Sequence, residues 1–266
     1  MRIAVLIVVV CLVATVGCSG PSKKSNGSAG RSGAAETRVL REAESGRESS
    51  DAAGPKAIPD PLEPVNRAFF AFNDKFYFWI MKPVSSGYAA VVPEWGRVRV
   101  KNFFSNLGMP IRAANCLLQA DFRGTGTELG RFGINTTVGI LGFNDPAANR
   151  WDIAERNEDL GQTLGVYGLG EVLYINWPIL GPSSVRGTIG FVGDGFLSPL
   201  NYYPSDSTAR TVIKVYERVN GTSLRLGDYE ELKEAALDPY VALRNAYFQR
   251  RRHLVKQRGA EDRPED

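Results

Sequence analysis

The chain has 266 residues, with 32 Lys plus Arg against 29 Asp plus Glu and a formal net charge of +3, too weak a basic excess to mark a nucleic-acid-binding protein. One histidine and three cysteines leave no metal-ligand spacing and little material for His-based catalysis. No cofactor is expected from this composition.

Arg2 precedes an uncharged apolar run from Ile3 to Val16, the layout of a targeting signal. The run is shorter than the roughly 20 residues a spanning helix needs. The stretch Thr15-Val16-Gly17-Cys18-Ser19 resembles a bacterial lipobox, which makes 1–17 a lipoprotein signal peptide and Cys18 the site of lipid attachment. Thr15 stands where a Leu is usual. Ser19 lacks the Asp that retains such lipoproteins on the inner membrane, so an outer-membrane anchor is expected. Residues 18–57 are rich in Ser, Gly, Ala and charge and read as a disordered tether, with a root-mean-square reach of about 35 Å.

A single domain is expected over 58–257, followed by a charged tail at 258–266. Pro61 and Pro64 suit the entry of a helix, and Pro83 is expected to close it. On that helix Val65, Phe69, Phe72, Phe76, Trp79 and Ile80 share one face, while Phe70, Tyr77 and Phe78 fall outside it. The apolar surplus calls for lipid or a partner. Val100, Phe103, Phe104 and Leu107 then repeat at helical spacing with Arg97, Arg99 and Lys101 interleaved. After Pro110, Ile111, Ala114 and Leu118 start another helix, in which Cys116 reads as a small buried hydrophobe. Gly126, Gly130 and Gly133 lie along one side of the next, a spacing that suggests close approach of a second helix.

The nearly uncharged stretch from Leu160 to Leu180 is broken by Gly161, Gly165, Gly168, Gly170 and Pro178. It fits a buried helix–loop unit, a loop lining an amphipathic passage, or a short strand pair around Val172 to Trp177, and periodicity does not choose. Val185 to Phe191 and Ala209 to Val219 read as helices. Asp238-Pro239 opens a long last one reaching about Lys256. The fold class is therefore mainly α.

Enzyme chemistry finds little support. His253 sits beside Arg250, Arg251 and Arg252 near a helix C-terminus, where a basic side chain complements the dipole. No Gly-x-Ser-x-Gly elbow and no phosphate-binding loop are present. A carboxylate-only hydrolase would have to draw on Glu63, Glu94, Asp121 or Glu158, for which capping and turn roles are cheaper. The chain is expected not to be an enzyme.

Four blocks resemble the MlaA/VacJ family of outer-membrane lipoproteins, in family order. They are Asp60-Pro-Leu-Glu-Pro-Val-Asn66-Arg67; Arg131-Phe-Gly-Ile-Asn135-Thr136 with Gly139, Gly142 and Asp145; Glu158-Asp-Leu-Gly161-Gln162 through Gly165 and Tyr167-Gly168 to Pro178-Ile-Leu-Gly181-Pro182-Ser183 and Arg186; and Asp238-Pro239-Tyr240 with Arg244, Tyr247, Gln249, Arg250 and Arg251. The family often has Gly-Pro at Glu171-Val172 and Arg-Asp at Arg186-Gly187, so this chain adds a charge in the first loop.

The resemblance implies a single ring-like helical domain in the inner leaflet of the outer membrane. Its amphipathic channel would remove mislocalised phospholipids from the outer leaflet and pass them to a periplasmic lipid-carrier protein, with a porin trimer as the other partner. Phe69, Phe70, Phe72, Phe76, Tyr77, Trp79, Arg97, Arg99 and Lys101 are then candidates for facing membrane or lipid. The same aromatics also suit a protein core and the same cations a solvated face. A structural lipoprotein that scaffolds a porin or envelope complex without moving lipid is the alternative.

Overall fold

The computed structural model describes residues 60–261. The signal peptide, Cys18, the tether and the end of the charged tail lie outside the described residues. Within them the chain is a succession of helices with one two-stranded sheet.

Helix α1 runs from Glu63 to Phe76 with Pro64 in its first turn, where a missing N–H costs nothing. It does not stop before Pro83. A π turn over Tyr77–Met81 carries it into α2, Lys82–Val91. The wider turn lets the Lys82 N–H reach back to the Tyr77 carbonyl immediately before the proline, whose ring would crowd a regular α-helix. Next come α3 (Glu94–Leu107), α4 (Met109–Leu118) and α5 (Phe122–Thr137), the last capped by Asp121 through the Gly124 N–H. Short helices α6 (Pro146–Trp151) and α7 (Leu160–Val166) are capped by Asp145 and Asp159. Strands β1 (Tyr174–Trp177) and β2 (Gly181–Ser184) pair antiparallel, Tyr174 opposite Ser184. They lead into α8 (Val185–Gly195), α9 (Ser207–Ser223), α10 (Asp228–Ala235) and α11 (Pro239–Glu261). The last helix passes the boundary read at 257, and Arg258 is buried against Asp121, 3.2 Å away.

The 160–180 stretch resolves into α7, a loop and β1, so the helix–loop and strand readings each describe part of it.

The interior is the unusual feature. Buried polar and charged side chains outnumber buried apolar ones among the described residues. On α1 and into the π turn the protein-facing stripe is Asn66, Phe70, Asn73 and Tyr77, at i, i+4, i+7 and i+11. The same spacing recurs on α5 in Gly124, Glu128, Arg131 and Asn135, all buried. Each buried charge has a partner: Arg112 lies 2.7 Å from Glu128, Arg131 2.8 Å from Asp145, Arg251 2.6 Å from Asp159. Unpaired, any of them would cost several kcal/mol.

The apolar stripes face the other way. Val65, Phe72, Trp79 and Ile80 of α1 and the following turn are exposed, Trp79 by 74%. Leu117, Leu118, Phe122, Leu129, Ile140 and Leu141 are exposed as well. The glycine row of α5 belongs to this outward side. A Cβ on Gly126, Gly130 or Gly133 would meet nothing within 4 Å, so the expected close helix contact there does not occur. Close approach happens between α7 and α8 instead, where a Cβ on Gly190 would stand 2.3 Å from the Gly161 nitrogen. No described helix is long and apolar enough to cross a membrane.

Candidate functional site

Helices α3, α8, α9 and α10, with the π turn, enclose an open cavity of about 1380 Å³. That exceeds the roughly 300–1,000 Å³ of ordinary small-molecule pockets. One wall is a charged stripe of α9: Lys214, Glu217 and Arg218 at i, i+3 and i+4, continued by Gly221 and, past the helix end, by Arg225. Lys101 of α3 faces into the same space. The other walls mix apolar side chains, Phe104 and Leu107 of α3, Phe191 of α8, Leu200, and Leu232 of α10, with polar ones such as Arg112, Asp194 and Asp228. Leu180 from the β1–β2 turn also lines it, so the 160–180 stretch does contribute to an amphipathic lining.

The charges here behave differently from those of the interior. The side chains of Lys101, Arg218, Arg225 and Glu217 make no hydrogen bond or ion pair among the described residues, whereas the buried arginines are in ion pairs. Burial pushes the Glu217 carboxyl above the ordinary range, with Arg218 and Lys214 pulling the other way. Glu217 is accessible yet surrounded by protein, the situation of a group in a concave wall. Asp194, at the far side, is likewise raised by burial, though it accepts from Asn115 and the Leu160 N–H. The Tyr77 hydroxyl, donating to Glu230 at 2.9 Å, is pushed up to about 12 by burial.

The residues singled out in the sequence divide into three groups. Phe72, stacked on Phe76, and Trp79, with Lys75 over its ring, are on the outward surface. Phe69 is half-buried. Phe70 packs edge-on against Tyr240, and Tyr77 against Tyr229 beside the cavity. Of the cations, Arg97 donates to the Ser223 carbonyl and ties α3 to α9; Arg99 lies over the exposed Trp95 ring; Lys101 reaches the cavity. The α9 stripe was missed. Its spacing is legible, but Lys, Glu and Arg at i, i+3 and i+4 also describe any solvated helix face.

The four sequence blocks turn out to clasp one another. Arg67 of the first bonds Asp238 of the fourth at 2.7 Å, and Asp60 accepts from Tyr240 and faces Arg244. Arg131 and Asn135 both hold Asp145 within the second. Arg251 of the fourth holds Asp159 of the third with two hydrogen bonds. The added Glu171 pairs with Arg186 in a site where both side chains are 5% exposed. The proposed hydrolytic carboxylates are dispersed and committed: Glu63 to Arg67, Asp121 to Arg258 and the α5 cap, Glu158 to Gln119; Glu94 lines a separate depression beside Trp95.

Residues 58–254 match the family model described as MlaA lipoprotein. The intermembrane phospholipid transport system lipoprotein MlaA of Escherichia coli is 32% identical over 212 residues, covering 78% of this chain and 82% of that protein. An uncharacterised protein of Rickettsia bellii is 32% identical over 212 residues, 78% of this chain and 81% of its own. A solved structure described as the structural basis for maintenance of bacterial outer membrane lipid asymmetry superposes with a TM-score of 0.64 at 32% identity, over 74% of this chain and 100% of that one.

Proposed function

The chain belongs to the MlaA lipoprotein family, and we propose that it is the outer-membrane lipoprotein of an intermembrane phospholipid transport system that maintains lipid asymmetry. It is a transport lipoprotein and not an enzyme. In this reading its cavity forms the amphipathic passage by which phospholipids mislocalised in the outer leaflet leave it for a periplasmic carrier protein. Lipidated Cys18 holds it to the inner leaflet, beside a porin trimer.

The observation that carries the reading is the cavity, whose lining combines the charged wall of α9 with the apolar side chains of Phe104, Leu107, Phe191, Leu200 and Leu232. Moving a phospholipid inward brings its charged headgroup past acyl chains, and polar walls remove much of that desolvation cost. No bond is made or broken, which agrees with the scattered carboxylates. The outward stripes of α1, α4 and α5 support immersion of the protein's flank in lipid, with Phe72 and Trp79 at the interface.

The test compares outer-leaflet phospholipid in cells lacking the protein, cells with it restored, and cells carrying Cys18→Ala. Accumulation on deletion, cured by the native protein and not by the unanchored one, is the expected result. An unchanged outer leaflet in all three overturns the transport reading in favour of a scaffold.

A further inference from the structure

The charged wall of the cavity carries more than general polarity. A cavity that merely wets a passing headgroup needs polar atoms of either sign, and these could be bonded to one another. Here Lys214, Glu217 and Arg218 follow one another on a single face of α9, yet Glu217 is hydrogen-bonded to neither neighbour. Arg225 and Lys101 extend the positive side of the wall and are likewise without an ion pair among the described residues. Lys214 donates to the Asn201 side-chain oxygen but has no counter-ion, so a carboxylate flanked by cations without acidic partners in a concave, half-apolar space presents an anion site and a cation site side by side.

Resting on the lipid-passage reading above, we propose that Lys214, Arg218 and Arg225 take the phosphodiester of a phospholipid while Glu217 takes a primary ammonium on its headgroup, so that the cavity prefers aminophospholipids such as phosphatidylethanolamine. The i, i+3 and i, i+4 relations place the Cβ atoms about 5–6 Å apart. Long flexible side chains at that separation let the two-carbon bridge of ethanolamine phosphate span from cation to carboxylate. Every phospholipid offers the phosphate, so the cations confer affinity without selecting. Glu217 selects, because an ammonium gives it an opposite charge as well as a hydrogen bond, while the glycerol hydroxyls of phosphatidylglycerol give a hydrogen bond without that charge. The raised affinity of Glu217 for its proton fits this position: burial without a partner penalises the carboxylate, and an ammonium removes the penalty. Gly221, one turn on, keeps the wall open beside them, since a Cβ there would meet nothing within 4 Å.

The experiment uses the full-length lipidated protein in detergent micelles, with phosphatidylethanolamine and phosphatidylglycerol of identical acyl chains carrying a chain-end fluorophore. The native protein is expected to bind the ethanolamine lipid about tenfold more tightly, equivalent to about 1.4 kcal/mol. In Glu217→Gln that ratio should fall to about one. In Arg218→Gln/Arg225→Gln the affinity for both lipids should fall together. Melting curves confirm that each variant is folded, and Glu217→Gln, which removes an unpaired acid, should melt no lower than the native protein. Equal binding of both lipids by the native protein, or a ratio unchanged in Glu217→Gln, overturns the headgroup proposal and leaves the lipid passage standing. Binding of neither lipid overturns the passage itself.

Discussion

Asn66 and Asn176, 110 residues apart, meet through two hydrogen bonds: the Asn176 N–H donates to the Asn66 side-chain oxygen at 2.9 Å, and the Asn176 amide donates to the Asn66 carbonyl at 3.3 Å. Asn66 also donates to the Tyr174 carbonyl at 3.0 Å, which locks β1 onto α1 with no water in reach of a side chain that is 1% exposed. In Asn66→Ala the Asn176 N–H and its neighbours lose these partners in a buried setting. At about 1–3 kcal/mol for each orphaned group, a loss of about 2–4 kcal/mol is expected, read as a lower denaturation midpoint in mild detergent. A midpoint within error of the native protein would show that the clamp contributes nothing.

Glu171 and Arg186 form a second buried relationship, one that exists because this chain carries an acid in the loop before β1. Glu171→Gln leaves the guanidinium charge enclosed and short of its counter-ion. The expected cost is about 3–5 kcal/mol, and replacing both residues with Val and Met should recover most of it. If the single and double variants melt alike, the ion pair is not what the loop depends on.

Glycines separate the two sides of the molecule. Gly190→Ala puts a methyl carbon 2.3 Å from backbone at Gly161, which cannot yield, so it should destabilise by about 1–3 kcal/mol. Gly130→Ala meets open space on an outward helix face and should stabilise by up to about 1 kcal/mol through helix propensity alone. Melting temperatures of the two variants moving in the same direction would contradict this assignment of faces.

Gly221 offers a test that uncouples stability from transport. Gly221→Ala adds a Cβ to a helical glycine that meets nothing within 4 Å, so it should not lower the melting temperature, and the melting curve of Gly221→Trp checks that the larger side chain leaves the fold intact. Only the Trp fills the cavity. Cells with Gly221→Trp should accumulate outer-leaflet phospholipid as the deletion does, while cells with Gly221→Ala should not. Normal outer leaflets in both would remove the cavity from the pathway.

The carboxylates also predict a pH dependence with two limbs. Burial raises Glu158, Asp194 and Glu217, so each favours its proton more in the folded state than in the unfolded one. Their contribution is lost as pH rises through the raised values, hence stability should increase from neutrality down toward the ordinary carboxylate range, about 4. For Asp145 and Asp159 burial is outweighed, by the Arg131 and Arg251 guanidinium groups respectively and by cap hydrogen bonds, and both are lowered. Their contribution is present above the ordinary value and lost as pH falls through the lowered one, so melting temperature should drop steeply below about pH 4. Glu217→Gln should flatten the first limb only. A melting temperature that falls steadily from pH 7 downward would contradict the raised group.

Several features follow from the sequence alone. The cap at Asp238 announces a helix start because a short acid before a helical run satisfies N–H groups that nothing else can reach; Asp121, Asp145 and Asp159 cap helices in the same way, at starts not read from the sequence. The helical period in α1, α3 and α5, the mainly α class and the order of the four blocks were legible for the same reason: each depends on residues within a turn or two of one another. The stop at Pro83 was misread because a π turn, which has no strong sequence signature, opens the backbone just ahead of the ring.

What only the tertiary structure decided is which face of each helix points into the protein. Periodicity establishes that α1 has an apolar stripe through Phe72 and Trp79 and a second one through Asn66, Phe70, Asn73 and Tyr77, but a stripe carries no direction. In water the apolar one would turn inward. Here long-range partners, Asn176 for Asn66, Trp177 for Asn73 and Glu230 for Tyr77, satisfy the polar stripe inside and leave the apolar one outside. The same holds for the α9 wall. Lys214, Glu217 and Arg218 are an ordinary charged face until α3, α8 and α10 close around them, and only that enclosure turns them into the lining of a cavity.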